Sequence, residues 1–417
     1  MPPRHEPDEL RAWLRLSLEP GLKPAAARAL MAELGPPERI YALDAAELGR
    51  RLPPALAARL AAPPDAQVQA GIAAALAWLD APGPHHVVTL ADADYPPGLL
   101  AIADPPALLY VRGDPAALAR PALAVVGARN ATAGGLANAR AFARHLAGAG
   151  WCVVSGLARG IDAAAHEGAL EADPGGGTAA VLGTGMDRVY PRAHAPLAER
   201  IAERGALVSE FAPGTPPLPQ HFPRRNRLVA GLARGVLVVE AASRSGSLST
   251  ARLAAEGGRE VFAIPGSIHS PLSRGCHALI RQGARLVETA LDIEEELGTP
   301  GGQAGGHAGA LAGAQPGTGP SRGWAGLGGP TAPAAGEAAS SPAPVPGSPP
   351  AGRVPASPPA ALLWRALAYD PVHQDELQRR TGLAGPALQA GLLELELTGR
   401  ALRLDGGRYQ RVENAGG

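Results

Sequence analysis

Lysine is all but missing from this chain: Lys23 is the only one in 417 residues, so every other basic side chain is an arginine or a histidine. A GC-rich coding bias accounts for that, and we attach no function to it. Cysteine is nearly as scarce. Cys152 and Cys276 are too few for a disulfide framework in so long a chain and offer no zinc site, which points to a reducing compartment. Net charge is absent too, with 38 basic residues against 38 acidic ones, so any polyanion must be met by a local patch. No segment approaches a membrane span free of charge and proline. The start, Met1-Pro2-Pro3-Arg4-His5-Glu6-Pro7, lacks the apolar core of a signal peptide. The expectation is a cytoplasmic protein with no membrane partner. There is also no Walker A lysine, no metal-ligand cluster and no Ser-His-Asp spacing, so no cofactor and no turnover are expected.

What is present divides into four stretches, in a chain long enough for two or three domains. Residues 1–85 read as a small helical module, with Leu10, Trp13 and Leu14 on one face and alanine-rich stretches broken by Pro-Gly and Pro-Pro pairs. Within it, Pro20-Gly21-Leu22-Lys23-Pro24 resembles the hairpin of a helix-hairpin-helix motif, whose backbone amides hold a DNA phosphate. Lys23 stands where the second hairpin glycine is usual, so the module reads as structural or protein-contacting. Residues 86–298 change texture. Ala122–Val126, Cys152–Val154, Ala179–Leu182, Ala206–Val208 and Gly235–Val239 are nearly continuous apolar runs separated mostly by helix-length segments. Such strands belong to a sheet covered on both faces, which predicts parallel βαβ units in a doubly wound α/β fold. Residues 299–357 are Gly, Ala, Pro and Ser with few aliphatics to bury, and read as a disordered linker. Residues 358–413 predict helices over 360–367, 374–380 and 385–398, then a hairpin around Asp405-Gly406-Gly407. This is a winged-helix outline whose third helix carries no arginine on the face that would enter a groove.

Ligands of open α/β sheets sit outside the carboxyl ends of the strands, so the residues after each run carry the chemistry. After the first run comes Gly127-Ala128-Arg129-Asn130, where small residues and a helix N-terminus would face an anion. The second gives Ser155-Gly156-Leu157-Ala158-Arg159-Gly160-Ile161-Asp162, with Asp162 placed to cap or charge the next helix and His166 one turn on. A cap and a helix-face histidine are expected there, in preference to a catalytic pair. The third couples Gly183-Thr184-Gly185 with Arg192, and the last clusters hydroxyls at Ser243-Arg244-Ser245-Gly246-Ser247 ahead of a helix beginning near Ser249. Between these junctions lies Phe222-Pro223-Arg224-Arg225-Asn226-Arg227. Arginine forks match phosphate oxygens, and an exposed ring offers a stacking face to an unpaired base. A helix start with its basic residues in solvent is the competing reading of that run taken alone.

Val125-Val126-Gly127-Ala128-Arg129, Ser155-Gly156-Leu157-Ala158-Arg159-Gly160-Ile161-Asp162, the Phe222–Arg227 run, Glu240-Ala241 with Ser245-Gly246-Ser247, and Ile264-Pro265-Gly266-Ser267 together resemble the signature of the DNA-processing DprA (Smf) family over roughly residues 95–287. The resemblance implies an extended Rossmann-like fold and a cytosolic homodimer. It further implies that the protein binds single-stranded DNA, protects incoming DNA in natural transformation and helps load the RecA recombinase. Carried over, Arg129, Arg225 and Arg227 hold phosphates and Phe222 stacks. Junctions and resemblance together make Gly127, Arg129, Ser155, Gly156, Arg159, Arg192, Phe222, Arg225, Asn226, Arg227, Ser245 and Gly246 the DNA-binding candidates. The stretch from Gly275 to Ala284 resembles the dimer-forming segment, giving His277 and Ile280 as interface candidates, and Leu286, apolar among polar residues just beyond it, is a third. The alternative is a nucleotide-processing enzyme on the same scaffold. Phosphoribohydrolases of that kind use a Pro-Gly-Gly-x-Gly-Thr run, whereas Pro174-Gly175-Gly176-Gly177-Thr178 here lies in a loop before a strand.

Overall fold

The structure is a computed structural model that describes residues 5–300 and 357–412. The chain divides into two compact units, Met1–Gly302 and Gln303–Gly417. The first is organised by nine strands: β1 (His85–Thr89), β2 (Leu108–Gly113), β3 (Ala122–Val126), β4 (Cys152–Ser155), β5 (Thr178–Val181), β6 (Ala206–Ser209), β7 (Gly235–Val238), β8 (Glu260–Ala263) and β9 (Arg285–Leu286). They form one sheet in the order β1-β2-β6-β5-β4-β3-β7-β8-β9. Pairing is parallel from β6 through β9; the apolar runs predict it for β3 to β7, and β8 and β9 continue it. The pairs β1/β2 and β2/β6 are antiparallel and extend the sheet beyond the doubly wound core.

Every residue of β3 is buried, because the strand lies between β4 and β7 with helices over both faces. Its alternate side chains serve different layers, as the period of two requires. Leu123 and Val125 pack with Ala139, Phe142 and Leu146 of the helix Ala133–Gly148, and with Ile161 and Ala165 of the helix Ile161–Glu171. The helix His221–Leu232 packs against β3, β4 and β5. The chain lays down β3, β4, β5 and β6 in one direction and then returns to place β7 on the other side of β3. This reversal opens a crevice beyond the carboxyl ends of β3 and β7.

Among the described residues six helices precede the sheet, at Pro7–Leu18, Pro24–Leu34, Pro37–Tyr41, Ala45–Gly49, Pro54–Ala61 and Ala66–Leu79. Four of them begin with proline at the first helical position, where its missing N–H has no intrahelical partner to lose. Their apolar faces do not close on themselves. Trp13, Leu14, Ile72 and Trp78 share one core with Leu108 and Tyr110 of β2 and Leu207 of β6. In the Pro20–Pro24 hairpin Gly21 holds φ +83, whereas Lys23 has an ordinary extended backbone at φ −74, so that position does not require glycine.

The second unit has helices Pro358–Ala366, Gln374–Thr381 and Gly385–Leu397 and an antiparallel sheet ordered β10 (Val372–His373), β12 (Arg408–Arg411), β11 (Ala401–Leu404). Gly382, left-handed at φ 66, ends the middle helix and turns the chain into the third. Leu363, Leu377, Leu388, Leu392, Leu395 and Tyr409 form its core, which is a winged-helix arrangement. The linker expected over 299–357 lies, but for residues 299, 300 and 357, outside the described residues. Among the described residues no helix is long and apolar enough to cross a membrane.

Candidate nucleic-acid interface

A cleft of about 490 Å³ occupies the crevice where the strand order reverses. Its walls are Gly127, Ala128, Arg129 and Asn130 after β3; Gly156, Ala158 and Asp162 after β4; Phe222, Pro223, Arg225 and Asn226 from the first turns of the helix His221–Leu232; and Arg244, Ser245, Gly246 and Ser247 after β7. The sequence reading had not singled out Asn130 or Arg244, although both stand inside runs chosen for their neighbours.

The backbone around the cleft is forced into close approaches. A Cβ on Gly127 would meet Cγ1 of Ile161 at 2.6 Å and the Glu240 carbonyl oxygen at 2.9 Å. Gly160, at φ +78, sits so near the first turn that a Cβ would fall 2.2 Å from the Ala128 oxygen. Leu157, wholly buried, is held at φ 57, the only positive-φ residue other than glycine among those described. Non-glycine residues adopt that conformation at a cost, which the packed turn after β4 sustains.

Arg225 and Arg129 play different parts. Arg225 is 5% exposed. Its guanidinium lies directly over Gly156, where a Cβ would be 1.9 Å from Nη1, and it donates to the Val181 carbonyl at 2.6 Å. Burial pushes the Asp162 carboxyl upward, and the Arg225 charge and the Ala158 amide oppose that shift. Arg129 is exposed and has no ion pair among the described residues. The cleft thus offers a fixed guanidinium at its floor and an exposed one at its rim. Phe222 is half-buried, with its ring on Gly183 and 5.5 Å from that of Tyr190.

Several expected placements are corrected. Arg227 does not face the cleft; it is buried and pairs with Glu210 at 2.5 Å and Asp104 at 3.1 Å, because it lies two residues from Arg225 on the same helix and therefore points about 200° away. Ser155 is buried, and its hydroxyl donates to the Val125 carbonyl at 2.6 Å, tying β4 to β3. Arg159 and Arg192 are exposed but lie outside the cleft lining. The helix after β7 begins at Gly246, three residues before the expected start, with Ser245 as its cap.

The anion-binding junctions also need revision. The N-terminus of the helix Ala133–Gly148 already holds the Glu240 carboxylate, which accepts from the Thr132 amide at 2.9 Å and the Thr132 hydroxyl at 2.6 Å. A Cβ on Gly135 would strike that carboxylate at 2.4 Å. At the next junction Asp162 accepts from the Ala158 amide at 3.3 Å, while the cap position itself is Gly160. The expected composite of backbone phosphate sites is therefore filled at two points by the chain's own carboxylates. His166 is buried and bonds the Thr178 hydroxyl at 2.7 Å, and burial lowers its imidazole from 6.5 to about 3.

At the proposed dimer segment, Leu286 is 46% exposed on the edge strand β9, and Ile280 is half-buried on the helix Arg274–Arg281. His277 donates from Nε2 to the Gly266 carbonyl at 3.0 Å.

Comparison with known proteins places this architecture. The sequence model of the DNA recombination-mediator protein A family matches residues 86–298, and that of the DprA winged helix domain residues 342–407. Protein Smf of Escherichia coli is 51% identical over 227 residues, which make up 54% of this chain and 60% of that protein. DNA processing protein DprA of Streptococcus pneumoniae is 47% identical over 208 residues, 50% of this chain and 73% of that protein. The X-ray structure of DprA from Streptococcus pneumoniae superposes with a TM-score of 0.59 at 36% identity, covering 68% of this chain and 95% of that one. The match to the Escherichia coli protein thus spans less than two thirds of that relative's length.

Proposed function

This chain belongs to the DNA recombination-mediator protein A family, and from that premise we propose that its cleft binds single-stranded DNA with little regard to sequence. The observation that carries the reading is the combination of an exposed rim guanidinium with no ion pair among the described residues, a fixed guanidinium on the floor and a half-buried ring in one crevice. Such a surface reads phosphates and stacks any base. A duplex holds its bases stacked and offers Phe222 nothing, so the single strand is the better ligand. In the cell, this cytoplasmic protein protects incoming DNA during natural transformation and helps load RecA onto it. Residues 86–298 act as the binding unit, by retention of the strand and not by turnover.

We read the protein as a homodimer formed through the helix Arg274–Arg281 and the edge strand β9. Ile268, 76% exposed in the loop before that helix, adds apolar surface beside the candidates Ile280 and Leu286. An unpaired, partly apolar sheet edge is the kind of surface that proteins cover.

The test is a titration of fluorescent single- and double-stranded oligonucleotides across salt. The single strand should bind more tightly, with log affinity falling linearly against log salt. Equal or tighter duplex binding, or affinity indifferent to salt, would refute the reading. Release of nucleobase or ribose phosphate from nucleotides would favour the enzyme alternative.

A further inference from the structure

Beyond the cleft, the aromatic face does not end at Phe222. Tyr190 is not part of the cleft wall, yet its ring centroid lies 5.5 Å from that of Phe222 at an interplanar angle of 48°, and half of the residue is open to solvent. A lone exposed tyrosine would call for no explanation. This one continues a ring that already lines the site, and the loop that carries it is anchored. The Thr184 hydroxyl donates to the Arg188 carbonyl at 2.5 Å, the Gly185 amide to the Thr215 carbonyl at 3.0 Å, and the Gly214 amide to Asp187 at 2.7 Å. On the far side of Tyr190, His194 bonds the Leu157 carbonyl at 2.9 Å and so anchors the segment to the turn after β4. Close packing leaves the loop little room, since a Cβ on Gly185 would meet the Ala212 oxygen at 2.4 Å. Two residues beyond Tyr190, Arg192 is exposed and has no ion pair among the described residues.

The geometry points to Tyr190 as a second stacking platform, which takes the nucleobase adjacent to the one on Phe222 and extends the binding surface by one nucleotide, with Arg192 beside it for the phosphate. This inference rests on the single-strand reading of the cleft. An aromatic ring is a sequence-tolerant base site because every base has a π-face, and a ring carried on an anchored loop has less freedom to lose when a base settles on it. Arg192, outside the cleft lining, thereby acquires a position on the strand's path.

The experiment uses the full chain, an oligothymidylate as probe, and the variants Tyr190→Ala and Tyr190→Trp. Tyr190→Ala should weaken binding by roughly five- to 150-fold, the range for loss of one base–ring stack. Tyr190→Trp should keep the affinity, and its added indole emission, taken as the difference from the unsubstituted chain, should be quenched as the strand saturates. If Tyr190→Ala binds like the parent, or if the added tryptophan emission ignores a bound strand, Tyr190 is no base site. If the unsubstituted chain itself fails to bind the strand, the reading of the cleft falls and this inference falls with it.

Discussion

Gly156→Ala would test the floor of the cleft without touching any charged group. A Cβ there would lie 1.9 Å from Nη1, 2.4 Å from Cζ and 2.5 Å from Nη2 of Arg225, too close for both to remain. Gly156 is not among the positive-φ glycines, so the backbone accepts alanine, and the guanidinium, at the end of a flexible side chain, is what must yield. It would lose its 2.6 Å bond to the Val181 carbonyl and its closeness to Asp162. A hydrogen bond from a charged group contributes about 1.5–3 kcal/mol, and the buried carbonyl left behind makes the lower figure a floor for the loss of stability. If Arg225 also holds a strand phosphate, affinity should fall by a similar about 1.5–3 kcal/mol, on the order of ten- to a hundredfold. Arg225→Ala should cost the same affinity by direct removal. In the double variant the added methyl meets no guanidinium, so the two losses should be far from additive. Urea melts give the stability and fluorescence anisotropy with oligothymidylate gives the affinity. Additive losses in the double variant, or parental binding by Gly156→Ala, would show that the guanidinium over Gly156 is not what the strand meets.

Three further outcomes follow from the same contacts. Arg129→Ala removes an exposed side chain with no ion pair among the described residues, so it should weaken strand binding by about 1.5–3 kcal/mol, lower the salt slope by about one phosphate and leave the melting temperature unchanged; a lowered melting temperature would mean that the side chain is structural. The buried His166 resists in the folded state a proton that the unfolded chain accepts below 6.5, so its contribution is complete above that value and is lost as pH falls toward about 3, at up to about 1.4 kcal/mol per pH unit. Stability of His166→Gln measured between pH 7 and 4.5 should therefore fall less steeply than that of the parent, and parallel curves would reject the assignment. Ile280→Glu should yield folded monomers by sedimentation, because a dimer would bury an unpaired charge; an intact dimer would move the interface elsewhere.

The parallel strands β3 to β7 were legible because each is a short, largely apolar run, as in Ala122–Val126 and Gly235–Val238, whereas β8, Glu260–Ala263, opens on a charged residue and escaped. β1 escaped because His85-His86-Val87-Val88-Thr89 is half polar, its first two residues facing partly outward at the sheet edge. β9 is two residues long and carries no pattern at all. At the candidate site, Gly127, Arg129, Gly156 and Ser245 were legible because they follow the carboxyl ends of β3, β4 and β7, and Phe222 and Arg225 because of their run on the helix His221–Leu232. Arg227 was misplaced although the sequence held the signal: helical spacing within Phe222–Arg227 does not allow Arg225 and Arg227 to share a face. Glu240 could not have been assigned in this way. Its partner Thr132 is 108 residues away, and only the closed sheet brings the two together.

That carboxylate has a consequence for what the cleft ignores. A bare helix N-terminus beside a nucleotide-sized cavity would be a trap for inorganic phosphate and mononucleotides, both abundant in any cell. Here Glu240 holds the Thr132 amide at the start of one helix and Asp162 the Ala158 amide just ahead of another, so a small anion finds those amides already bonded. Only a ligand that presents several phosphates and bases at once can collect the dispersed contacts that remain. The cleft should therefore favour polymer over monomer, and millimolar free nucleotide should compete poorly for it.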